Sequence, residues 1–245
     1  MNIRLALIRV MQGIITAFLV FTAVFFIMRL SGDPTMLFLP PDATQEDIDR
    51  FRRDMGWDRP VIVQYFDYLG DVLKGDFGQS LTYGGSALDT VLERLPATLE
   101  LTLVAFIITV VIAIPAGLIA AVRPDTLISQ IVMTIALVGQ AMPGFWLGVM
   151  MILLFSVSLG WLPTGGRGGV LNLIMPAVVL GSWGAAKITR LTRAGMQEVL
   201  GNDYIRTARS KGLPEQLVLI RHALRNALLP VISALGLTVG AMLGG

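Results

Sequence analysis

A chain of 245 residues with 54% hydrophobic and only 15% charged side chains cannot clothe a soluble surface, where about 25% charge is usual. The same composition excludes a disordered chain, a coiled coil and a highly charged nucleic-acid binder. With no cysteine and one histidine, His222, it also excludes disulfides, zinc knuckles and a multi-histidine metal site.

A membrane helix needs about 20 apolar residues, and the chain can be tested for them stretch by stretch. The first charge-free run is Val10–Met28, between Arg9 and Arg29. Arg4 and Arg9 before it mimic a signal peptide, but the run is too long for an h-region and no small-residue cleavage site follows. An uncleaved first span is expected. Residues 31–98 then form an external segment rich in aromatics rather than a Ser/Gly linker. Thr44 followed by Asp47 predicts a capped helix start, with a helix over Gln45–Met55 ending near Gly56. A second helix is predicted over Val61–Leu73, after Pro60.

Further charge-free runs are Leu101–Val122, Thr126–Gly166, Gly168–Ala186 and Asn226–Gly245. Asp125, beside Arg123 and Pro124, is expected in a tight turn. The longest run ends in turn material at 161–166 (WLPTGG), which leaves one long helix. Pro143-Gly144 in its middle should kink or break it. A broken helix at membrane depth usually lines a cavity; a kink that serves only packing fits the residues equally. No internal repeat or low-complexity tract is evident.

Charge sets the expected topology. Between Ser31 and Pro96 there are six basic and twelve acidic residues; between Lys187 and Arg225 there are eight basic and three acidic. Basic segments stay in the cytoplasm, and Arg4, Arg9 and Arg123 agree. The N-terminus is therefore expected inside, with the acidic segment outside and the basic one inside. The expected organisation is residues 1–30 as N-terminus and first span, 31–98 as the helical external segment, and 99–245 as the core, with a cytoplasmic loop at 196–225. The charge-free runs hold no ionisable group for a proton relay, which disfavours a proton-coupled secondary transporter. They also lack the paired Asp, or Ser with His, of an intramembrane enzyme.

The basic loop carries the sharpest pattern. Helical spacing puts Tyr204, Ile205, Ala208 and Gly212 on one face, and Arg206, Arg209 and Ser210 on the other. The apolar face needs cover, either from anionic lipid or from the groove of a soluble partner. Small Ala208 and Gly212 would suit close approach by such a partner, and Gly212-Leu213-Pro214 ends the helix.

Several stretches in order resemble permease subunits of binding-protein-dependent ABC importers, in the branch for dipeptides, oligopeptides, nickel or glutathione. They are Gly32-Asp33-Pro34, Gln64-Tyr65, 75–80 (GDFGQS), 94–99 (RLPATL), 161–165 (WLPTG), 203–213 (DYIRTARSKGL) and 222–230 (HALRNALLP). The loop resembles the EAA-type loop of that family, with Arg206, Thr207, Ala208 and Gly212 at the Glu-Ala-Ala…Gly positions. Arg stands where the general pattern has Glu, so no glutamate chemistry carries over.

The resemblance implies an all-α polytopic permease in a bacterial or archaeal inner membrane. Five spans would be present, and a sixth would lie beyond the end of the chain. Implied partners are a second homologous permease, two cytoplasmic ATPase subunits, an external substrate-binding protein and the bilayer, with no nucleic acid. Asp203, Tyr204, Ile205, Arg206, Thr207, Ala208, Arg209, Ser210, Lys211 and Gly212 would form the ATPase-coupling helix. Gln140, Met142 and Pro143 would contribute to the path. The expected cargo is short peptides, with nickel or glutathione as alternatives.

No catalytic or metal site is expected. The phosphate-cradling pattern G-x-x-x-x-G-K-[ST] is absent from the sequence, so ATP and Mg would be bound by the partner ATPase. His222 is expected to make local hydrogen bonds rather than hold a metal.

Overall fold

The computed structural model describes residues 3–30, 32, 35, 38–40, 42–80 and 83–244. Asp33 and Pro34 of the Gly32-Asp33-Pro34 motif, and Gly245, lie outside them. Among the described residues the only extended pairing is an isolated bridge between Gln79 and Ser86; the rest of the ordered structure is helical. Among the described residues, four helices are long and apolar enough to cross a membrane, or five spans if one bent pair counts as a span. The chain divides into two compact units, Met1–Arg94 and Leu95–Gly245.

In the first unit, α1 (Ile3–Leu30) carries the first apolar run. It is followed by α2 (Gln45–Asp54) and α3 (Val61–Leu73), close to their predicted limits. The Thr44 side chain accepts from the Asp47 N–H, and the Asp47 carboxylate accepts from the Thr44 N–H, which completes a capping box. Hydrogen bonds from Thr44 hold the Asp47 carboxyl below its ordinary pKa. Thr44→Ala should cost α2 about 1 kcal/mol, read as roughly fivefold faster amide exchange over its first turn.

An aromatic cluster fixes α3 along α1. Tyr65 lies 5.4 Å from Phe25 and from Phe26, Phe21 stacks on Tyr68 at 5.4 Å, and the Thr22 and Tyr65 hydroxyls are 2.8 Å apart. The second external helix thus lies beside residues that the charge pattern assigns to the first span.

The second unit is held by close helix crossings. α4 (Ala87–Val122) and α7 (Val170–Leu200) run parallel. At one end, the Thr109 hydroxyl donates to the Gly181 carbonyl (3.0 Å). Midway, a Cβ added at Gly117 would lie 2.6 Å from the Thr192 Cβ and 2.7 Å from the Thr189 carbonyl oxygen. At the other end, Ala121 shares a buried cluster with Met196 and Val199. α10 (Arg225–Gly244) returns antiparallel: Ala227 abuts Gly195, Val231 and Ala234 pack with Ala113 and Ile188, and Thr238 and Met242 approach Gly184. This small-residue packing lets backbones approach where apolar surface alone gives no drive in lipid.

α7 runs past the charge-free stretch Gly168–Ala186 to Leu200, so Lys187, Arg190 and Arg193 lie on the helix packed on α4, ahead of the loop expected at 196–225. A charge ends an apolar run without ending the helix that carries it.

The longest run breaks as its proline suggested. α5 (Leu127–Ala141) and α6 (Gly144–Met151), the latter continued by a π-helical turn at Ile152–Ser158, meet at a bend of 104°. Residues 159–169 form the expected turn, in which the Phe155 carbonyl accepts from the Trp161 and Leu162 N–H groups.

Candidate functional site

Beyond α7, Gly201 and Asn202 turn the chain into α8 (Asp203–Ser210). Its apolar face is covered by the chain itself. Ile205 is fully buried and Ala208 nearly so, in a cluster with Ala121, Met196, Val199, Val218, Ala223 and Ala227. This corrects the expectation that Ala208 meets another protein: its small size fits it to the chain's own core.

Gly212 is corrected as well. A Cβ there would meet nothing within 4 Å, but its φ is +73°. Glycine is required for the left-handed residue that closes the helix, with its N–H on the Arg209 carbonyl at 2.9 Å.

The residues left facing outward are Asp203, Tyr204, Arg206, Thr207, Arg209, Ser210 and Lys211, together with Gly212. Three ties hold them in place. The Arg209 Nε and Nη2 donate to the two carboxylate oxygens of Glu215 at 3.2 and 2.7 Å, a bidentate pair across the turn. Those hydrogen bonds raise the Arg209 pKa above its ordinary value. The Asn226 Nδ2 donates to the Tyr204 hydroxyl (2.8 Å) and to the His222 carbonyl (3.1 Å). Arg206 pairs with Asp203 at 3.3 Å. After Pro214, α9 (Glu215–Leu217) leads through a π-helical stretch, Val218–Leu224, into α10. The stretch buries Val218 and Ala223 beneath α8. Sequence reasoning did not single out Glu215 or Asn226; the spacing of Glu215 just past Pro214 was the available signal.

Gln140, Met142 and Pro143 come together at the 104° break: Gln140 is in the last turn of α5, Met142 caps that helix and Pro143 precedes α6. Gln140 and Pro143 are exposed and Met142 half-buried. A cleft of about 760 Å³ lies nearby, between α4, α6, α7 and α10. Its walls include Thr102, Gly144, Phe145, Asn172 and Met175 but none of the three.

Residues 113–245 match the family model of the binding-protein-dependent transport system inner membrane component, and residues 2–102 match the model of its N-terminal region. The chain belongs to this family. It is similar to the oligopeptide transport system permease protein AppB of Bacillus subtilis (strain 168), 42% identical over 233 residues, covering 90% of this chain and 74% of the relative. It is also similar to the glutathione transport system permease protein GsiC of Escherichia coli (strain K12), 40% identical over 238 residues, covering 97% of this chain and 78% of the relative. It is thus a permease subunit of a binding-protein-dependent ABC importer, an inner-membrane component made of helices.

Proposed function

We propose that this permease carries short peptides inward, driven by ATP hydrolysis on a separate ATPase subunit, with its N-terminus in the cytoplasm. An external binding protein delivers the peptide, and a second homologous permease completes the path with two ATPase subunits beneath. The names of the relatives support peptide cargo, since oligopeptides and glutathione share the peptide backbone. Nickel, carried by the same branch, is the alternative.

The observation that carries the coupling role is the outward face of α8. The helix is anchored from below by Ile205 and Ala208 and clamped by Arg209–Glu215, which leaves Tyr204, Arg206, Thr207, Ser210 and Lys211 on a rigid exposed surface. A short helix held this firmly can pass a push from a partner to the spans without deforming. Ile205 and Ala208 then act by joining α8 to the ends of α4, α7 and α10.

The test is uptake in proteoliposomes holding the complete importer. Arg206→Glu with Lys211→Glu reverses two exposed charges and leaves the buried anchor intact. Membrane insertion should be unchanged, while peptide uptake and ATPase co-purification fall at least about tenfold, the order of effect of disturbing charge complementarity at an interface. Unchanged uptake with unchanged ATPase retention would remove α8 from the coupling role. Import of nickel and not of peptide by the wild-type complex would decide for the alternative cargo.

A further inference from the structure

Among the described residues, three cations on α7 take no part in the ion pairs that hold the fold. Lys187, Arg190 and Arg193 recur at every third residue, on the side of α7 turned away from Ile188, Thr192 and Met196, which are buried. All three are half-buried. Among the described residues none has a carboxylate at ion-pair distance. The Nε groups of Arg190 and Arg193 are shielded from solvent, and no acceptor among the described residues reaches them.

Their depth follows from the crossings. Gly181 abuts Ala105, Gly117 abuts Thr189 and Thr192, and Ala121 packs with Met196 and Val199, so Lys187 is level with about Ala113. Ala113 lies near the middle of the charge-free run Leu101–Val122. From there to Arg123 is roughly 15 Å at 1.5 Å of rise per residue, farther than a lysine side chain can snorkel. A lipid phosphate at the inner surface could serve Arg193 but not Lys187. Cations at such depth face a bundle interior or a water-filled cavity rather than lipid.

We infer that Lys187, Arg190 and Arg193 line the inner half of the substrate path and hold the free carboxylate of a passing peptide. This rests on the proposed peptide import and narrows its cargo to peptides bearing a free carboxylate. A carboxylate offers a planar pair of acceptors that matches a guanidinium fork. Steps of about 4.5 Å along the helix place each cation within reach of the next. Several equivalent weak sites in series let a charged solute move on where one strong site would trap it.

The test uses the complete importer in proteoliposomes. The chain has no cysteine of its own, so Lys187→Cys supplies its single thiol. The negatively charged thiol reagent sulfonatoethyl methanethiosulfonate should modify that position in at least one nucleotide state. Excess tripeptide acid should slow the reaction, and the same tripeptide with an amidated C-terminus should not. Separately, Lys187→Gln with Arg190→Gln should lower uptake of the tripeptide acid about tenfold, the effect of losing one hydrogen bond to a charged group, with peptide binding to the external protein unchanged. No modification in any nucleotide state would overturn the inference, because the position would then be sealed by lipid or by the second permease. Equal protection by acid and amide, or wild-type uptake in the glutamine variant, would overturn it too. A wild-type complex that imports no peptide at all refutes the peptide cargo itself, an outcome distinct from failure at these three residues.

Discussion

Replacing Gly117 with valine is expected to prevent accumulation of the folded core. A Cβ at this position would sit 2.6 Å from the Thr192 Cβ and 2.7 Å from the Thr189 carbonyl oxygen, and the second of these is backbone. No rotamer change relieves that contact, so α4 and α7 would have to separate. Separation would also disturb Gly181 against the Ala105 carbonyl and the Thr109 hydrogen bond to Gly181. Overpacking a soluble core costs typically about 1–3 kcal/mol, and a clash with backbone belongs at or above the top of that range. An interhelical hydrogen bond in a membrane averages only about 0.6 kcal/mol, so the close approach matters more than Thr109. Gly236→Ala is the control, since nothing lies within 4 Å of its Cβ position. Detergent-solubilised yield and melting temperature should collapse for Gly117→Val and hold for Gly236→Ala. A wild-type melting curve for Gly117→Val would mean that the two helices do not cross at Gly117.

Much of this fold is legible from local chemistry. Thr44 with Asp47, Pro60 and the glycine at 212 are short-range signals, and α2, α3 and α8 begin and end close to where those residues put them. The break at Pro143 is legible for the same reason, because proline acts on its own backbone. What was not legible depends on which helix meets which. Tyr204, Ile205, Ala208 and Gly212 share an apolar face by spacing, yet spacing does not say whether that face meets lipid, a partner or the chain itself. Tertiary packing splits the four: Ile205 and Ala208 go inside, while Tyr204 stays out with its hydroxyl on Asn226 and Gly212 serves only the turn. Lys187 shows the same limit. A lysine looks like the end of an apolar run, and only the fit of Gly117 and Gly181 into the neighbouring helix shows which level of α4 it stands beside.

Ile205→Asp separates anchoring from docking at α8. Ile205 has no exposed surface and sits among Met196, Val199, Val218 and Ala223. Truncating such a side chain to alanine costs roughly 2–5 kcal/mol, and a carboxylate adds the cost of burying an unpaired charge. α8 should therefore leave its seat. The membrane crossings should persist, because the clusters around Ala113 and Ala105 contain no residue of α8. Trypsin reports the difference, since Arg206, Arg209 and Lys211 all lie on or just after the helix. Cleavage there should rise at least about a hundredfold, because each 1.4 kcal/mol of lost stability is tenfold in the open population. Peptide uptake should be lost. Arg206→Glu with Lys211→Glu should differ at the protease step, keeping wild-type resistance to a protease that cuts at Arg209 while uptake falls at least about tenfold. If Ile205→Asp kept both resistance and uptake, α8 would not be fastened to the spans through Ile205, and a push on its outer face would have no route to α4, α7 and α10. If it kept resistance and lost uptake, Ile205 would act at the partner's surface and not beneath the helix. Cleavage together with lost uptake is the result that ties transport to the seat of α8.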